Sequence, residues 1–113
     1  MIRATLRTAS GLVNGRRLFK GSNIYSEWLS EADGSNERYV VYSYGSHFPM
    51  YVYDSTTGRW YGNSERYSPS TSRHQSSCRP YEVDEWHPTP RMKAIANYGM
   101  LPVVLNRLLG EAA

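Results

Sequence analysis

The sequence predicts an α+β protein: a small antiparallel sheet, built from an N-terminal hairpin and a three-strand meander, packed by C-terminal helices. Three observations carry this. Residues 38–63 are successive runs of β-branched and aromatic residues divided by turn residues, which is how strands read. Residues 89–99 change to apolar spacings of three and four, the period of a helix face. Tyrosine occurs 10 times and phenylalanine only 2, which suits a half-wet sheet or an interaction surface, because tyrosine offers area and a hydroxyl together.

Taken in order, "IRATLRT" alternates Ile2, Ala4 and Leu6 against Arg3, Thr5 and Arg7, the pattern of a half-buried strand. Asn14-Gly15 then sits between two apolar-tipped runs. Asn-Gly is the strongest short hairpin signal, so a hairpin is expected there, with Arg16 and Arg17 on its returning arm. "FKGSN" reads as a turn, "IYSEWL" as a short strand or a turn of helix, and "SEADGSNE" as an exposed loop. The meander follows: Arg38 to Tyr44, Phe48 to Asp54, and "RWYGN". Val40, Tyr42 and Tyr44 should share one face, with Tyr39 and Val41 on the other; Pro49 lacks an amide donor and belongs at a strand start or edge. Thr89-Pro90 reads as a helix N-cap followed by proline at the first helical position. Met92, Ile95, Ala96 and Gly99 keep one face, and Gly99 should close that helix in a left-handed conformation. A second helix from Pro102, with Leu101, Val104, Leu105 and Leu108 along one face, or one helix kinked at Pro102, completes the chain.

A length of 113 residues fits one domain, 1–113, able to bury a modest core without staples. The single cysteine, Cys78, forms no internal disulfide, and a reducing compartment is the simplest setting. No apolar run reaches the roughly 18–20 residues of a membrane span, and Arg3 and Arg7 stand where a signal peptide needs apolar residues. A cytoplasmic protein without membrane contact is expected. The net charge is only +3, but its layout is uneven. Residues 1–20 hold Arg3, Arg7, Arg16, Arg17 and Lys20 with no acid, whereas 27–37 hold Glu27, Glu31, Asp33 and Glu37 with no base. Such segregation guides encounter with a charged partner.

The chemistry-bearing stretch is "YSPSTSRHQSSCRP", Tyr67 to Pro80. Ser72 and Gln75 have the spacing of a capping box, which predicts a short helix from Arg73 to about Cys78, stopped by Pro80. The start of such a helix, with Ser68, Ser70, Thr71, Ser72 and Arg73, also suits a phosphate. His74 lies four residues before Cys78, on one helix face, but nothing marks the thiol as activated, and a buried free cysteine is the commoner state. His47, His74, His87 and Cys78, even with Asp84 or Glu85, match no metal-ligand spacing, so no metal and no cofactor is expected. Glu82, Asp84 and Glu85 read as an exposed acidic connector.

"FKGSN", "YVVYSYGSHFP" and "GRWYGNSERYSPSTSRHQSSCRP" together resemble a group of small proteins encoded by bacteriophages and other mobile elements. In that group a "YVVYSYG" strand leads to a Trp-containing strand, then Tyr-Ser, a Ser/Thr pair and Ser-Lys/Arg-His-Gln. The likeness covers roughly residues 19–80. Its motif positions here are Tyr42, Ser43, Tyr44, Gly45, Trp60, Asn63, Tyr67, Ser68, Thr71, Ser72, Arg73, His74 and Gln75. It implies a source and a domain, and no reaction.

The resulting expectation is a non-catalytic, phage-type binding protein acting on a host protein or nucleoprotein complex, for example as an inhibitor of host defence such as CRISPR. The alternative is direct nucleic-acid binding through the basic and aromatic residues of 59–79. The contact residues expected are Tyr42, Tyr44, Arg59, Trp60, Tyr61, Arg66, Tyr67, Arg73, His74 and Arg79, with Ser72 and Gln75 as the structural cap. An exposed strand edge or the apolar C-terminal helix would support a homodimer.

Overall fold

A computed structural model describes residues 1–103. Their elements are β1 (Ile2–Ala4), α1 (Ala9–Asn14), β2 (Phe19–Gly21), β3 (Ile24–Leu29), β4 (Arg38–Ser43), β5 (Pro49–Asp54), β6 (Arg59–Asn63), α2 (Pro69–Cys78), β7 (Glu85–His87) and α3 (Thr89–Tyr98). The α+β class holds. The small sheet does not: the strands form one seven-stranded mixed sheet, ordered β1 to β7 as in the chain. β2 to β6 run as an antiparallel meander, while β1 pairs with β2, and β6 with β7, in parallel. A parallel neighbour needs a crossover, and α1 and α2 supply the two.

The N-terminal hairpin is therefore replaced by a β1–α1–β2 crossover. Asn14-Gly15 ends a helix instead of turning a hairpin. The Asn14 side-chain amide donates to the Ser10 carbonyl at 2.8 Å, and the Gly15 amide donates to the Gly11 carbonyl. Ala9 and Val13, four apart, are fully buried, so packing outweighs the local turn signal. "FKGSN" is likewise not a turn, since its first three residues are β2. Gly21 lets β1 and β2 close up: a Cβ there would meet the Ala4 carbonyl oxygen at 2.5 Å. "IYSEWL" is a strand, and the 30–37 loop is largely exposed, with Asp33 accepting from the Ser35 amide and hydroxyl.

The central strands are covered on both faces. Tyr39, Val41, Tyr51 and Trp60 pack with Ala9, Val13 and Cys78 of α1 and α2. Val40, Tyr42, Val52 and Tyr61 pack with Met92, Ile95 and Ala96 of α3. The alternation expected along β4 holds as far as Ser43. Tyr44 leaves it, because its backbone turns into the left-handed region at φ 67°. β7 corrects the acidic connector: Glu85 is in a strand, and the Asp84 carboxylate accepts from the Trp60 amide at 2.8 Å.

Both predicted helix starts move. α2 begins at Pro69, with Ser68 as its cap accepting from the Thr71 amide at 3.1 Å. Ser68-Pro69 is the stronger start, because Ser68 is extended and proline's fixed φ suits the first turn. Ser72 thus lies inside the helix and caps nothing; Gln75 donates instead to the carbonyls of Asn63 and Glu65 at 3.1 and 3.0 Å. At α3, Pro88 holds the cap position and Thr89 the first helical one. The Thr89 amide donates to the Glu65 carboxylate at 3.0 Å, and its hydroxyl accepts from Asn63.

Gly99 closes α3 at φ 84° and ψ 163°, an extended mirror-image conformation that only glycine adopts comfortably, rather than the left-handed one expected. A Cβ there would also lie 2.6 Å from the Asn36 side-chain oxygen. Gly99→Ala is expected to cost about 2 kcal/mol, read as a lower urea midpoint with an unchanged slope. Residues 100–103 start a further helical turn, so helix is under way before Pro102. The continuation expected through Val104, Leu105 and Leu108 lies outside the described residues. None of the described helices is long and apolar enough to cross a membrane.

Candidate functional site

α1 and α2 pack on each other, forming one layer over one face of the sheet. The segments that build it, 5–18 and 66–80, contain no aspartate or glutamate. They carry Arg7, Arg16, Arg17, Arg66, Arg73 and Arg79, all exposed. The Tyr81 amide donates to the Asn14 side chain at 2.8 Å, which ties the end of α1 to the chain leaving α2. Arg16 and Arg79 flank that junction. Arg16 lies over the Tyr53 ring at 4.4 Å, and Arg79 over the Trp86 ring at 5.2 Å. Stacked guanidiniums keep their outer edges free for an anion.

The other end of the layer is built around His74. Its Nδ1 shares a hydrogen bond of 2.7 Å with the Ser43 hydroxyl, at the end of β4. Burial, and then the neighbouring Arg73 charge, lower the His74 pKa, so the ring is neutral at neutral pH. The Tyr44 ring leans on it at 5.3 Å and is 52% exposed. Tyr67, 62% exposed, packs on Phe48 at 4.8 Å and donates from its hydroxyl to Thr89. Arg73, next to His74 in the chain, is exposed. Much of the "YSYG" and "YS..TSRHQ" stretches thus converges where the β4–β5 loop meets α2. A left-handed tyrosine is unusual for a bulky residue, and such conformations gather at functional sites.

The expected contact residues divide cleanly. Tyr44, Arg66, Tyr67, Arg73 and Arg79 are exposed. Tyr42, Trp60 and Tyr61 are corrected, because they are buried in the two cores and present no stacking surface. His74 is buried too, and supports Tyr44 from beneath. Arg59 is exposed, but opposite in direction to Trp60 on β6, and pairs with Glu85 at 3.8 Å. Arg7, Arg16 and Arg17 were not among the expected contacts. Their signal was the acid-free run of the first 26 residues, and only the α1 crossover brings them beside α2.

Ser43, bonded to His74, and Cys78, four residues after that histidine, are both inaccessible. Ser43 is 1% exposed. Cys78 is fully buried, and burial alone pushes its thiol up to about 12. Among the described residues, no three His, Cys, Asp or Glu side chains gather as a metal site would require. On the opposite face, a groove of about 420 Å³ beside α3 is lined in part by Glu27, Tyr42, His47 and Lys93. There the Tyr42 hydroxyl donates to the Glu27 carboxylate at 2.7 Å. No protein-family model matches the chain, and no curated protein or solved structure is significantly similar to it.

Proposed function

We propose that the protein is a non-catalytic binding module that docks on the phosphate backbone of a nucleic acid, free or held in a host nucleoprotein complex. The observation that carries this reading is the acid-free α1/α2 layer with its six exposed arginines. A net charge of +3 alone would be weak support; six exposed arginines in two adjoining acid-free segments make the layer an electrostatic footprint. The inaccessible Ser43 and Cys78 favour binding over covalent chemistry. The likeness to phage-encoded proteins points to a complex of the host, such as a defence complex, as the target.

Gel shifts with single- and double-stranded DNA test the reading. Affinity for a single strand is expected to fall about a hundredfold between about 50 and about 200 mM salt, as four to six neutralised phosphates imply. Arg73→Ala combined with Arg79→Ala should reduce the salt slope by about 1.5. No binding to either DNA at low salt overturns the reading. Recovery of a single nuclease-resistant protein partner from host lysate, alongside that result, would assign the surface to a protein instead.

A further inference from the structure

We infer that a cleft at the α1 end of the basic layer holds an unstacked nucleobase of a single strand, with Trp28 as its platform; this rests on the nucleic-acid reading above. The cleft measures about 600 Å³ and is lined by Met1, Ile2, Arg16, Arg17, Leu18 and Trp28. Its apolar wall is formed by Trp28, 37% exposed, and Leu18, 41% exposed. Arg16 and Arg17 line the cleft together with that wall, and among the described residues no carboxylate does. A flat apolar ring beside paired cations and no acid matches a base joined to its phosphates.

The cleft is also built rather than incidental. Trp28 ends a cross-strand row on the α1/α2 face: it pairs with Tyr39, Tyr39 with Tyr53, and Tyr53 with Trp60. Trp28 rests on Tyr39 at 5.4 Å, which leaves its outer side open. The Arg17 carbonyl accepts from the Tyr39 hydroxyl at 2.6 Å and from the Ser26 hydroxyl at 3.0 Å, so the backbone between the two arginines and the row is fixed. Arg16 sits at φ 49°, a left-handed conformation that costs a non-glycine residue stability. That conformation accompanies its guanidinium lying over Tyr53, at the edge of the row.

A base inside a duplex shows only its edges, so a ring platform selects a single strand. Tyr44 follows Tyr39 by five residues, at the far end of β4. Trp28, the cross-strand partner of Tyr39, and Tyr44 therefore leave the backbone about 17 Å apart along the sheet, on the scale of a few nucleotides.

The test compares an oligothymidylate of about twelve nucleotides with an abasic oligomer carrying the same number of phosphates. Both should bind, the oligothymidylate about tenfold more tightly, and only it should quench tryptophan fluorescence. Trp28→Leu, which keeps an apolar contact on Tyr39, should abolish the quenching and the tenfold preference while leaving the abasic affinity unchanged. Arg16→Gly relieves the left-handed strain, so it should fold as well as the parent yet bind both oligomers a few-fold more weakly. Equal affinity of the parent for the two oligomers, or quenching that persists in Trp28→Leu, overturns the cleft and leaves the backbone reading standing. Failure of both oligomers to bind overturns the two together.

Discussion

Raising the pH from about 9 to about 12 is expected to remove much of the protein's stability, on the order of 5 kcal/mol. The groups responsible are Cys78, Tyr39 and Tyr51, each pushed up to about 12, with burial the first cause in every case. Their ordinary values are 9.0 for the thiol and 10.0 for the phenols. Between those values and 12 the unfolded chain releases protons that the folded chain keeps. The folded state then binds more protons, so its stability falls as the pH rises; below about 9 the contribution is complete. Each tenfold change in proton affinity is worth about 1.4 kcal/mol, and the figure above discounts the sum for solvent that still reaches these groups. Burial outweighs a Ser26 hydrogen bond that acts the other way on Tyr39, and the bonds to backbone carbonyls agree in sign with burial. Tyr39 donates to the Arg17 carbonyl and Tyr51 to the Gln75 carbonyl, and neither acceptor has a proton to offer a phenolate. Tyr42, Tyr25 and Tyr61 are raised as well and act in the same direction. Urea unfolding at stepped pH, with tyrosinate absorbance followed in parallel, reads this directly. Full tyrosinate absorbance at about pH 11 with native circular dichroism intact would show that these groups are not held protonated by the fold.

The same burial explains what the sequence made legible. β4 to β6 were readable because their β-branched and aromatic runs are divided by turn residues, whereas the single run of β3 left strand and helix open. α3 was readable because Pro90, Met92, Ile95, Ala96 and Gly99 mark its start, face and end. α2 hid its face: the residues it buries are Thr71, His74, Gln75 and Cys78, at helical spacing but mostly polar. No hydrophobic pattern reveals such a face; it is stabilised by bonds to Ser43, Asn63 and Glu65 that join distant segments. The β1–α1–β2 unit was misread because Asn14-Gly15 is a strong local signal, whereas the parallel pairing that overrides it is long-range. The candidate site follows from these outcomes. Tyr42, Trp60 and Tyr61 suit a half-wet sheet, and the sheet is instead covered on both sides. Arg66, Tyr67, Arg73 and Arg79 reached the surface because they lie in or beside α2, on the side turned away from β4 and α1.

Arg38→Ala is expected to destabilise the protein by about 3 kcal/mol without changing the oligonucleotide affinity of the folded state. Arg38 is the one buried arginine among the described residues, at 3% exposure. Its Nε donates to the Ala96 carbonyl at 3.0 Å and its Nη2 to the Asn97 carbonyl at 2.9 Å, so one guanidinium closes the C-terminus of α3. The last carbonyls of a helix lack partners within it and carry its negative end, which a cation there satisfies. Nη1 adds bonds to the Asn36 carbonyl and the Glu31 carboxylate; the latter, at 3.4 Å to an exposed acid, contributes little. Alanine would leave the Ala96 and Asn97 carbonyls without donors in a buried or half-buried setting, at about 1–3 kcal/mol each. Lysine keeps the charge but not the planar fork, so Arg38→Lys should recover only part of the loss. α3 lies on the face opposite the basic layer, and this gives the experiment its force. Arg38→Ala should move the urea midpoint and not the gel shift, whereas Arg73→Ala should move the gel shift and not the urea midpoint. If both substitutions move the same measurement, the division of arginines into a helix-closing one and a partner-facing set is wrong.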